Sequence, residues 1–122
     1  MADEIRLNAT LQYEDTDLAE INLQMSDLLA DVATLKYVEV KQSVGTSEEA
    51  LVLGEITSPG WLFAINRDTT NYIELRVATG GAKFAKLLPG EFCLLRLGSG
   101  ATAPFAIANT AACMLQYALI ST

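Results

Sequence analysis

Residues 60–97, GWLFAINRDTTNYIELRVATGGAKFAKLLPGEFCLLRL, decide the fold. Trp61, Phe63 and Ile65 alternate with Leu62, Ala64 and Asn66, the period-two signature of a strand. Arg67-Asp68-Thr69-Thr70 breaks that alternation with turn-favouring residues. Tyr72, Glu74 and Arg76 then alternate with Ile73, Leu75 and Val77, giving a second strand with one polar-edged and one apolar face. Gly80-Gly81 admits positive φ and predicts a hairpin, and Pro89-Gly90 fits the centre of a type II turn. With a short run from Ala82 to Leu88 and a last strand from Phe92 to Leu97, the stretch reads as a four-stranded β-meander. Its apolar side requires a second layer.

The flanks carry the same pattern. Upstream, Tyr37, Glu39, Lys41 and Ser43 alternate with Val38, Val40, Gln42 and Val44, a half-buried strand. Gly45 to Glu49 reads as a loop, and Ala50 to Leu53 opens the next strand. Downstream, the small-residue loop Gly98 to Pro104 precedes Phe105, Ile107 and Asn109 alternating with Ala106 and Ala108. The last segment, Ala111 to Ile120, is apolar on both sides: Cys113, Leu115, Tyr117 and Leu119 on one, Met114, Ala118 and Ile120 on the other. Such a strand belongs at a sheet centre or against a neighbouring subunit. Regular strand signals with Gly, Pro and Asn/Asp turns predict an all-β chain. The expected architecture is an antiparallel β-sandwich, jelly-roll-like, over residues 36–122.

Residues 1–35 read as an N-terminal arm or extra strands, within the same domain or extended from it, and as the attachment segment. Ile5, Leu7, Ala9, Leu11 and Tyr13 alternate with Arg6, Asn8, Thr10 and Gln12, an amphipathic strand. Glu14-Asp15-Thr16-Asp17 reads as a turn; it lacks the glycine and distal glutamate of a calcium loop. Between Leu18 and Leu35 the sequence is ambiguous. Ile21, Leu23 and Met25 alternate like a strand, whereas Ser26-Asp27 before Leu28 and Leu29 fits the N-cap of a short helix. An extended arm is favoured over that helix, and a hairpin through SDLLADVATLKY is the third reading.

Composition narrows the functional classes. A chain of 122 residues fits one domain, and no apolar run reaches the length of a membrane helix. Asp3 and Glu4 stand where a secretion leader carries basic residues, so folding in a cytosol is expected. Fifteen acidic against eight basic residues give a net charge of −7, which argues against binding nucleic-acid phosphates. Asp3, Glu4, Glu14, Asp15, Asp17 and Glu20 make the N-terminal segment the most anionic part. Cys93 and Cys113 have apolar neighbours and are expected reduced and inert, though their strands admit pairing.

The chain has no histidine, which removes the commonest general base, the usual zinc ligand and every Ser-His or Cys-His pair. Glu74, Glu91 and Asp68 show no spacing that marks a glycosidase pair. Gly98-Ser99-Gly100 is neither a P-loop nor a dinucleotide fingerprint. No catalytic residue, cofactor or metal site is therefore assigned. Trp61, Phe63 and Tyr72 offer a stacking platform for a sugar, with core or interface packing favoured for them. Arg76 and Arg96 are expected in solvent or paired with Glu74 or Glu91.

Residues 42–77, QSVGTSEEALVLGEITSPGWLFAINRDTTNYIELRV, then KLLPGEFCLLRL and APFAIANTAACMLQYALI, resemble small virion-associated proteins of tailed bacteriophages. The resemblance is carried by Gly45 to Glu49, the Pro59-Gly60-Trp61 turn, Asn71-Tyr72, the Leu88-Pro89-Gly90-Glu91 turn and an Ala108-Asn109-Thr110-Ala111 hairpin. It implies a structural protein on the capsid surface, foremost a decoration or cement protein, assembled in the host cytoplasm. A tail or baseplate component is the alternative. The implied partners are sister copies, a trimer before a dimer, and the major capsid protein, with neither nucleic acid nor membrane. Trp61, Phe63, Met114, Leu115, Tyr117 and Ile120 are the expected oligomer or coat interface, with the N-terminal segment reaching the coat.

Overall fold

The computed structural model describes residues 5–14, 20–31 and 36–121. The acidic turn at 15–17 and the 32–35 part of SDLLADVATLKY lie outside the described residues. Those described form antiparallel sheets with no helix among them. Two units divide the chain, residues 1–33 and 34–122.

The first unit is a hairpin of β1 (Ile5–Glu14) and β2 (Glu20–Ala30). Leu11 lies opposite Leu23, Tyr13 opposite Ile21, Ala9 opposite Met25 and Leu7 opposite Leu28. The short helix at Ser26 is thus replaced by strand. The apolar positions of β2 change parity between Met25 and Leu28, and a register shift between Leu7 and Ala9 absorbs the change. Asp27 is the pivot: its φ is 51°, and its N–H donates to Asn8 Oδ1 at 2.9 Å. This β-bulge inserts one residue and so keeps Leu28 on the same face as Met25.

The second unit is a β-sandwich of eight strands. They are β3 (Tyr37–Val44), β4 (Glu49–Ala50), β5 (Pro59–Asn66), β6 (Ile73–Arg76), β7 (Lys83–Leu87), β8 (Phe92–Arg96), β9 (Phe105–Ala108) and β10 (Cys113–Ser121). One sheet has the order β3-β10-β5-β8 and the other β4-β9-β6-β7. The first strand of the sandwich pairs with the last, the second with the penultimate, and so inward to the β6–β7 hairpin. β5–β10 and β6–β9 pairing joins these nested ribbons into two sheets.

The meander expected over residues 60–97 is therefore corrected. Only β6 and β7 are hairpin neighbours; the chain changes sheet between β5 and β6 and again between β7 and β8. Likewise Ala108 to Ala111 is a crossing between sheets, not a hairpin. The expected turns do form. Glu91 N–H donates to the Leu88 carbonyl at 2.9 Å with Gly90 at φ 81°, the type II geometry. In the β6–β7 turn Gly80 takes φ 63°, whereas Gly81 is required by space: a Cβ there would meet Val77 Cγ2 at 2.9 Å.

Alternation decides which side chains fill the core. Leu62 and Ala64 of β5, Leu115 and Leu119 of β10, and Ile73 and Leu75 of β6 are fully buried between the sheets. Each large aliphatic side chain so buried contributes ~1.5–3 kcal/mol. Two polar residues lock the layers together. Asn66, itself fully buried, donates from Nδ2 to the Asn71 and Leu87 carbonyls, both at 2.9 Å, and its Oδ1 accepts from Asp68 N–H at 2.9 Å. The Tyr117 hydroxyl donates to Gln42 Oε1 at 2.7 Å and accepts from Val52 N–H at 2.6 Å, tying β10 to the chain beyond β4.

Candidate functional site

The outer faces of the two sandwich sheets differ in chemistry. On the β4-β9-β6-β7 sheet, outward charges are paired. Lys83 Nζ lies 3.0 Å from Glu74 Oε1, Arg76 Nη1 lies 3.0 Å from Glu48 Oε2, and Lys86 Nζ sits 4.2 Å from the centroid of Tyr72. Arg76 thus pairs with Glu48, not with Glu74 or Glu91. Glu48 also accepts from Thr79 Oγ1 at 2.5 Å and from Gly80 N–H at 3.0 Å. Those donors, and then the Arg76 charge, hold its carboxyl below the usual carboxylate range.

The β3-β10-β5-β8 sheet presents an outer face that is apolar at its centre, with Glu39, Lys41 and Arg96 on the edge strands β3 and β8. Register places Tyr37, Ile120, Trp61 and Arg96 in one row across the four strands. Glu39, Ala118, Phe63 and Leu94 form the next row, followed by Lys41, Gln116, Ile65 and Phe92. Phe63 and Phe92 stack diagonally, with ring centroids 5.6 Å apart. Tyr37 is 79% exposed, Phe92 60%, Met114 40% and Phe63 37%. The Arg96 guanidinium lies 5.3 Å from the Trp61 ring centroid and so covers part of the indole. Trp61 Nε1 is buried without an acceptor among the described residues.

Of the expected interface residues, Trp61, Phe63, Met114 and Ile120 share this face. Leu115 and Tyr117 do not. They occupy the inward positions of β10, with 0% and 1% exposure, and belong to the core. An apolar run alone does not say which of its two faces meets the opposite sheet. Sequence reasoning also missed Tyr37, Phe92 and Leu94, which the nested strand order brings beside β5 and β10. The sugar platform of Trp61, Phe63 and Tyr72 is not assembled, because Tyr72 stacks with Lys86 of the opposite sheet.

Both cysteines are free thiols. Burial pushes the Cys93 and Cys113 thiols up, and the nearby Asp68 charge adds to the shift at Cys113. No cluster of three or more metal-ligating side chains occurs among the described residues. An apolar depression of about 400 Å³ opens where Val77, Phe84, Leu95, Leu97 and Pro104 meet. It has no convergent set of polar groups, the feature that fixes a ligand's orientation.

The hairpin unit has a second apolar face. Leu7, Ala9, Leu11 and Tyr13 of β1 oppose Leu28, Met25, Leu23 and Ile21 of β2, and Leu23 is 65% exposed and Leu11 58%. No family model, curated protein or solved structure matches the chain.

Proposed function

We propose that the protein is a structural component of a tailed-bacteriophage particle, a capsid decoration protein that binds the coat lattice as an oligomer, a trimer before a dimer. One observation carries the reading: the sandwich turns a face with an aromatic centre, Trp61, Phe63 and Phe92, outward on one sheet, its charges Glu39, Lys41 and Arg96 confined to the edge strands, and a charge-paired face outward on the other. A protein lying on a shell needs that one-sidedness, since one face meets the coat and the other meets water. The nested strand order supports the jelly-roll form of the sandwich, an architecture that recurs among viral capsid domains.

In this reading the Phe63–Phe92 face meets the major capsid protein on the capsid surface, and the protein assembles there in the host cytoplasm. Apolar burial contributes ~25 cal/mol per Å², much of it offset by lost freedom, so repeated attachment through an oligomer holds the subunits. The protein has no catalytic step, cofactor, nucleic-acid partner or membrane partner. The test is co-sedimentation of purified chain with particles depleted of it. Saturable binding in fixed proportion to the coat protein is expected; binding only to isolated tails, or to host glycan alone, overturns the reading.

A further inference from the structure

We infer that the β1–β2 hairpin is the element that joins the copies of this chain, its apolar face packed against the same face of two sister hairpins around a threefold axis. The inference rests on the oligomeric part of the proposed function. It reverses the division of labour expected from sequence: the N-terminal segment meets sister copies, and the aromatic sandwich face is left for the coat.

The hairpin's own chemistry requires a cover. Its apolar face runs Leu7, Ala9, Leu11 and Tyr13 against Leu28, Met25, Leu23 and Ile21, with no charged residue at any of these positions, and continues to Ile5, which is already buried, and Ala30. Two-stranded hairpins are at best marginally stable in water, because neither layer nor further strand shields them. The face is also more apolar than a surface that meets a partner only transiently, and it matches the uncharged centre of a permanent homo-oligomer. Sister chains are the neighbours present in fixed proportion from synthesis onward.

Area and edges decide the number of copies. With 10 residues in β1, the face measures ~33 Å by ~10 Å, or roughly 300 Å². A stable interface takes ~800 Å² from each partner, so the face alone falls short in any assembly and pairing of strand edges between copies must add to it. A face-to-face pair would leave every outer strand edge open. In a ring of three, β2 of one copy lies beside β1 of the next, antiparallel throughout, and no edge remains. The bulge at Asp27 supplies the bend that closure needs. Ala9 and Ala30 among the inward positions suit the narrow interior of six strands better than the wider one of eight.

The test uses the full chain. Sedimentation equilibrium of the wild type is expected to give three times the 13.1 kDa chain mass. Leu11→Asp with Leu23→Asp, which places two carboxylates opposite each other on the buried face, is expected to give a monomer whose Trp61 fluorescence and sandwich melting are retained. Thr10→Lys, on the other face, is expected to remain trimeric. Hydrogen exchange of the wild type supplies a readout independent of any variant: amides of residues 5–14 and 20–30 are expected to exchange at least a hundredfold more slowly than in an open hairpin. A monomeric wild type, a Leu11→Asp/Leu23→Asp protein that stays trimeric, or unprotected hairpin amides overturns the inference. A monomer that still binds particles sinks this inference together with the oligomeric part of the proposed function, and spares its coat-binding part. A hairpin-dependent trimer that ignores particles does the reverse.

Discussion

Phe63 and Phe92 stack on the outside of the sandwich, not in its core, with their rings 12° from parallel and each side chain open to solvent. Stacked aromatics stabilise one another, yet this pair leaves one side of each ring in water. Phe63→Asp with Phe92→Asp is therefore expected to leave folding and self-assembly intact. Occupancy on particles should fall at least tenfold, as measured by co-sedimentation. Unchanged occupancy would place the coat contact elsewhere.

Asn66 is the buried polar link between the sheets. Replacing it with alanine leaves the Asn71 and Leu87 carbonyls and the Asp68 N–H without their partner. Each unsatisfied buried group costs ~1–3 kcal/mol, so Asn66→Ala is expected to destabilise the sandwich by about 3 kcal/mol or more. Urea denaturation checks it. The same measurement on Tyr117→Phe, which loses one hydroxyl bonded to Gln42 and Val52, is expected to show a smaller loss of ~1–2 kcal/mol.

Acid should loosen the Glu48 clamp. Its folded carboxyl titrates below the unfolded value of 4.5, because the Thr79 hydroxyl and the Gly80 N–H favour the charged form. The unfolded chain then binds the proton first as pH falls, so the stabilisation is complete above pH 4.5 and is lost as pH drops through the lower folded value. Thermal melts from pH 7 to 3 are expected to show this acid limb. Glu48→Gln should melt lower at neutral pH and show a shallower fall in acid.

Cys93 and Cys113 are expected to resist thiol reagents in the native protein, since desolvation disfavours both thiolates. Titration with a chromogenic disulfide should be at least on the order of tenfold slower before denaturation than after it. Rapid native labelling of Cys113 would contradict its place in the core.

Much of the sandwich was legible because alternation reports strands directly. The last strand shows it best: the two-sided apolar run from Ala111 to Ile120 predicts a strand at a sheet centre or against a neighbouring subunit, and β10 lies between β3 and β5. Alternation does not name a strand's partner, which is why residues 60–97 read as a meander when β5 pairs with β8 across an excursion to the other sheet. The same silence put Leu115 and Tyr117 on the interface. In the hairpin, the parity change at Ser26-Asp27 imitated a helix start; a bulge produces the same local signal, and only the pairing with β1 separates them. The Arg76–Glu48 pair spans 28 residues and has no local signature.

Quantitative gel densitometry of purified particles tests the central claim most directly. This chain is expected in fixed proportion to the major capsid protein, at a multiple set by three-copy occupancy of lattice sites. A few copies per particle, or none, would contradict it.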